Sequence, residues 1–226
     1  MKKAKKIMVL LLCAVLLVGI SVAGTVAYLT SQDTVVNTFT VGQVKIELDE
    51  AKVGEDGRYA DHAVRVKENE YHLLPGMTYD KDPTVTVKAN SDKAYIRMLV
   101  KVTNIESLKL VFTDSGYYGA DGTFLLEKLV GGWDPATWVY EGYTQDGNDG
   151  TYEFRYFTPV DTMNGQDLVL DDLFETITIP GKEVTSDNIV HLDKVQIDVV
   201  AQAIQAAGFT ADGAKTTEDV AWVAFN

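Results

Sequence analysis

The chain has 226 residues, with 20 Lys or Arg against 33 Asp or Glu and a net charge of −13. That balance argues against nucleic acid or anionic membrane surfaces as partners, because phosphate contacts require a basic face. It suits a soluble extracellular protein with some attraction for divalent cations, and at 46% hydrophobic residues the chain can bury one good core.

In chain order, the first element is an export signal. Lys2, Lys3, Lys5 and Lys6 form a basic start, and no charge occurs from Ile7 to Ala23. This run is shorter than the roughly 20 residues of a membrane span and fits the apolar region of a signal peptide. Thr25-Val26-Ala27 is a small-x-small pattern that places cleavage between Ala27 and Tyr28. An uncleaved anchor is the alternative; polar residues resume at once, with no basic stop-transfer cluster. The single cysteine, Cys13, lies in mid-run after Leu11-Leu12 and reads as apolar filler. The mature chain then has no cysteine, so core, metal or partners must hold it together. The expected organisation is a signal peptide at 1–27 and a single domain at 28–226.

The start of that domain changes phase. Val35, Phe39 and Val41 occupy odd positions, whereas Val44, Ile46 and Leu48 occupy even ones, with Gly42 at the switch. A one-residue change of phase flips the buried face of a strand, and a glycine there suggests a bulge or a crossing between sheets. Two readings stay open: one bent first strand, or a detachable segment at 28–41 that pairs elsewhere, anchored by Val35, Phe39 and Val41 and hinged at Gly42.

Period-two alternation dominates the rest of the chain. It runs through Val85, Val87 and Ala89; through Ile96, Met98, Val100 and Val102; through Tyr152, Phe154 and Tyr156; through Ile177 and Ile179; and through Val195, Ile197, Val199 and Ala201. Half-buried antiparallel strands generate this pattern. Turn signals separate the runs at Leu74-Pro75-Gly76, Asn90-Ser91-Asp92, Asp121-Gly122 and Pro180-Gly181. Many short strands with such turns predict an all-β fold, an antiparallel sandwich. Residues 105–145 alternate weakly and predict an excursion with a hairpin and a short helix. Residues 160–173 predict a long loop with a helical turn at Leu168–Leu173.

Motifs of chemistry are sparse. His62, His72 and His191 form no His-Glu-x-x-His pair, and no Gly-x-Ser-x-Gly elbow is present. Carboxylates are too numerous for any one acid pair to stand out. Asp146-Gly147-Asn148-Asp149-Gly150 reads first as a hairpin turn and second as a calcium loop using Asp146, Asn148 and Asp149, although it lacks the spaced final Glu of an EF-hand. Trp133, Trp138 and Trp222 read first as packing residues and second as a carbohydrate platform. No catalytic, cofactor-binding or metal-ligating residue is assigned, and no cofactor is expected.

Gly24-Thr25-Val26-Ala27-Tyr28-Leu29-Thr30 and Asn37-Thr38-Phe39-Thr40-Val41-Gly42-Gln43-Val44 resemble the TasA/camelysin family, Gram-positive bacterial proteins whose signals are cut by a SipW-type peptidase. The resemblance continues at Leu74-Pro75-Gly76, at Asn90 and Ala94-Tyr95-Ile96-Arg97, and from Ala201 to Phe209 with Ala221-Trp222; it is poor from about 105 to 170. It implies a jelly-roll sandwich and export to the cell surface or biofilm matrix. It also implies assembly into fibres, each subunit donating its N-terminal strand, here Tyr28 to about Val41, to the next subunit's sheet. The implied partners are further copies of the chain joined head to tail, the SipW-type peptidase during export, and a minor matrix or anchor protein. Camelysin-like members are described as metalloproteases; with no zinc motif here, that activity is not carried over, and the expectation is a structural protein rather than an enzyme. A surface metalloprotease and a monomeric adhesion or carbohydrate-binding module are the alternatives.

Overall fold

The computed structural model describes residues 42–193 and 195–225. The cleavage residues Ala27 and Tyr28 and the strand anchors Val35, Phe39 and Val41 lie outside these residues. From Gly42 onward the chain forms one compact unit.

Eleven strands carry it: β1 (Ile46–Val53), β2 (Tyr59–Val66), β3 (Thr78–Asp80), β4 (Thr84–Val87), β5 (Ala94–Val102), β6 (Val130–Gly131), β7 (Trp138–Asp146), β8 (Asp149–Tyr156), β9 (Leu168–Val169), β10 (Thr176–Thr178) and β11 (Ile197–Gln205). Two short helices join them, α1 (Ile105–Val111) and α2 (Thr217–Phe225). The sheets run β2-β1-β4-β9, β3-β10-β6 and β11-β5-β8-β7, with every strand pair antiparallel. The fold is therefore the all-β antiparallel sandwich that the alternation predicts, with loop and short-helix excursions.

The centre of the core is β5. Its inward residues Ala94, Ile96, Met98, Val100 and Val102 are at most 1% exposed. Register aligns them with like residues on both neighbours: Met98 lies opposite Phe154 and Ala201, and Val100 opposite Tyr152 and Val199. Val85 and Val87 of β4 belong to the same cluster, with Leu170, Leu173 and Phe174 from the loop before β10. At roughly 1.5–3 kcal/mol for each fully buried aliphatic side chain, this cluster is the main source of stability.

Two sequence expectations change here. The helical turn at 168–173 is absent: Leu168 and Val169 form β9, opposite Val87 and Thr86, because β4 would otherwise expose an edge there. A further phase change, unseen in the sequence, falls inside β1. Up to Glu50 the even residues face inward, but after a register shift at Ala51–Val53 the buried residues are Ala51 and Val53. The excursion at 105–145 does contain a helix: α1 packs Ile105, Leu108 and Val111 on the core, spaced one turn apart.

The outer face of the β5 sheet is covered by α2. Thr216 and Asp219 form a reciprocal cap: the Thr216 hydroxyl accepts from the Asp219 N–H at 3.1 Å, and the Asp219 carboxylate accepts from the Thr216 N–H at 2.8 Å. Asp219 also pairs with Arg155 of β8 at 2.7 Å. One turn on, buried Trp222 lays its ring 4.4 Å from the guanidinium of Arg97, which is only 3% exposed. Arg155 and the Thr216 donors hold the Asp219 carboxyl down at about 2. Since an unfolded aspartate titrates near 3.9, this contribution is complete above about pH 4 and is lost as pH falls through 2. Asp219→Ala is expected to cost about 1 kcal/mol at pH 7. Urea melts should show the wild-type advantage shrinking between pH 4 and pH 2.

Candidate assembly surface

Gly42 opens the described chain, and a clamp holds the residues just after it. The Gln43 N–H donates to the Asp92 carboxylate and the Asp92 N–H donates back to the Gln43 carbonyl, both at 2.9 Å. The Lys45 N–H donates to the hydroxyl of Ser91, which is fully buried and donates in turn to the Lys88 carbonyl at 2.7 Å. A side chain at Gly42 would collide with the Asp92 carboxylate. The glycine thus answers a close approach, and Gln43 after it is fixed through both its N–H and its carbonyl.

From this clamp β1 runs alongside β11 in the opposite direction. Gly42 lies near Gln205 at one end, and Leu48–Glu50 share a groove with Ile197–Val199 at the other. Among the described residues no backbone hydrogen bond joins the two strands. Among the described residues β11 pairs only with β5, and residues 46–49 of β1 only with β4. Two strand edges therefore face each other across a seam. Burial shows the same opening: Ile197 to Ile204 are all half-buried, whereas their β5 partners on the core face are sealed. Val44, Ile46 and Leu48 on the β1 side are likewise only partly covered. An edge of unpaired N–H and C=O groups above a half-covered apolar row is the geometry that accepts an added strand. At its β2 end the seam widens into a groove of about 470 Å³ lined by Lys67, Glu68, Asn69, Lys81 and Asp198 among others.

A second concavity, of about 610 Å³, lies beside β1, β2 and the loop before β10, and its walls hold Asp49, Asp80, Asp82, Asp171, Asp172 and Glu175. Arg65 ties Asp49 at 2.7 Å to Asp82 at 2.6 Å. Burial, then Glu175, Asp82 and Asp171, push the Asp172 carboxyl upward. The sequence carried a signal for this cleft in the Asp-x-Asp of Asp80 and Asp82 and in Asp171-Asp172, but only the fold brings these segments together.

The remaining candidates are dispersed. His62 on β2 packs against Tyr59 with ring centres 4.1 Å apart and the planes tilted by 50°, while His72 and His191 are exposed on other segments. Asp146 and Asp149 close the β7–β8 hairpin, with Gly147 at φ 59°. Asn148 and Asp149 serve the start of α1: the Asn148 side chain accepts from the Glu106 N–H at 3.0 Å, and Asp149 accepts from the Asn104 N–H at 3.2 Å. Among the described residues, no group of three or more His, Cys, Asp or Glu is placed to hold a metal ion. Trp138 and Trp222 are buried, and Trp133 donates its indole N–H to the Trp138 carbonyl at 2.8 Å, so the three indoles form no exposed platform.

Compared with protein-family models, with curated proteins and with solved structures, the chain matches none of them.

The raised Asp172 carboxyl gives a pH test. A carboxyl whose folded value lies above its unfolded value loses stability as pH rises through it. Asp172→Asn, which mimics the protonated form, is expected to melt higher than wild type at pH 7. The difference should close below about pH 4, as read by thermal melts across that range.

Proposed function

We propose that this is a secreted structural subunit, similar to TasA/camelysin proteins, that polymerises head to tail at the cell surface or in a biofilm matrix. The observation that carries the reading is the seam between β1 and β11, where two unpaired edges flank a half-covered apolar row. A strand from a second copy would satisfy the free backbone groups and cover Ile197, Val199, Ala201 and Ala203. The donor on this reading is the segment 28–41, with Val35, Phe39 and Val41 as alternate anchors. Each subunit then donates at one place and accepts at another, a heterologous contact that does not close and so grows as a filament. Acidic surfaces would oppose lateral association while the strand directs end-to-end growth. Signal cleavage before Tyr28 would release the donor.

Deleting residues 28–41 from the mature chain is expected to abolish filaments in electron micrographs while leaving a folded monomer by circular dichroism. The same deletion protein keeps the seam but cannot donate. Added at about one part in ten to the intact protein, it should cap growing ends and shorten filaments several-fold. Unimpaired filaments from the deletion protein alone would overturn the reading.

A further inference from the structure

Beneath the seam's wide end lies a partly open pocket of about 260 Å³. Its walls are apolar, built from Leu108, Phe112, Phe124, Leu126, Leu129 and Ile179 among others. Polar side chains are few, and three of them, Asn69, Lys81 and Gln196, also line the outer groove. The cavity's polar side is therefore the side that borders the groove. Apolar walls do not hold water, which needs two to four polar partners, and an apolar cavity of about 150 Å³ already takes up benzene. In proportion, this one holds about ten carbon-sized groups.

The mouth decides the charge of a guest. Lys81 pairs with Glu50 at 2.6 Å, and both side chains are nearly buried, at 11% and 9% exposure. Asn69 is fully engaged: its amide donates to Glu50 and to the Ala51 carbonyl, both at 2.9 Å, and its oxygen accepts from the Val53 N–H at 3.0 Å. The Tyr71 and Tyr79 hydroxyls donate to backbone carbonyls of Asp80 and His72. What a guest can meet is the Lys81 ammonium, with three donors of which Glu50 takes one; Gln196 at the rim is exposed and donates its side-chain amide to Asp198 at 2.7 Å. An anionic head would set a second negative charge beside the nearly buried Glu50 carboxylate with only one ammonium to balance both, which is unfavourable. A neutral hydrogen-bond acceptor leaves the pair intact.

We propose that this pocket binds a small uncharged amphiphile, about ten heavy atoms long, with its apolar chain inside and a hydroxyl or carbonyl end at Lys81. The assignment is independent of how copies of the chain associate.

The test is titration of 1-octanol into the full chain, followed by calorimetry and by the melting temperature. Saturable one-to-one binding with a rise in melting temperature is expected, and octanoate at pH 7 should bind at least tenfold more weakly. Two variants that fill the space, Ile177→Trp and Leu126→Phe, should each weaken octanol binding at least tenfold. Both keep the apolar leader, so any octanol taken up elsewhere on the chain would persist in them. Absence of saturable octanol binding to wild type, or undiminished binding by a folded filled variant, overturns the site. Octanoate binding as tightly as octanol overturns the neutral head group.

Discussion

The strict alternation along β5 is the constraint on which the rest of the molecule depends. Its five inward side chains are sealed from water, and from Ile96 to Val102 each pairs across the sheet with an apolar residue of β11, Met98 and Val100 with aromatic residues of β8 as well. A shift of one residue in either ladder would turn the apolar row outward. Because β5 lies between β8 and β11, its register fixes both. The outward residues of the same strand are also committed: Arg97 packs under Trp222 and donates to Gln202 at 2.7 Å. One strand thus sets the core on one face and the docking of α2 on the other.

The sandwich closes unevenly around that strand. On one side the hairpin of β7 and β8 ends the sheet, and a bulge around Gly142 interrupts its outer strand, a common way of blunting an edge. On the other side β11 is long and regular, and it faces β1 without pairing. The buried Lys81–Glu50 pair stands at the widest point of this opening. An ion pair removed from water adds little over an apolar pair of the same size, but losing one partner strands the other charge, so the two side chains are held together between the outer groove and the apolar pocket.

Much of the fold was legible because half-buried strands print their period on the sequence. Ile96 to Val102, Tyr152 to Tyr156 and Ile197 to Ala201 are strands where the alternation says so, and the turns at Asn90-Ser91-Asp92 and Asp146–Gly150 fall where Gly, Asn and Asp permit them. Long-range partners were not legible. Leu168-Val169 looks helical in isolation and becomes a strand because Thr86 and Val87 offer a ladder. The phase change within β1 arises from a bulge against β2 that no single residue announces. The 146–149 turn reads first as a hairpin, which it is, but its bonds to the start of α1 have no local signal. The two cavities are products of tertiary assembly, drawing walls from segments more than a hundred residues apart, and local periodicity cannot register them. The seam was half legible: Gly42 marked the place, but the unpaired edge of β11 is a property of topology.

The clamp at Gln43 has a mechanical meaning as well. A pull on the chain at Gly42 is met first by the reciprocal pair with Asp92, then by the Ser91 hydroxyl, and only afterwards by the ladder between β1 and β4. These bonds stand in series with the strand. Tension entering at Gly42 would load these few bonds one after another, as in peeling, before it reached the ladder that β1 makes with β4.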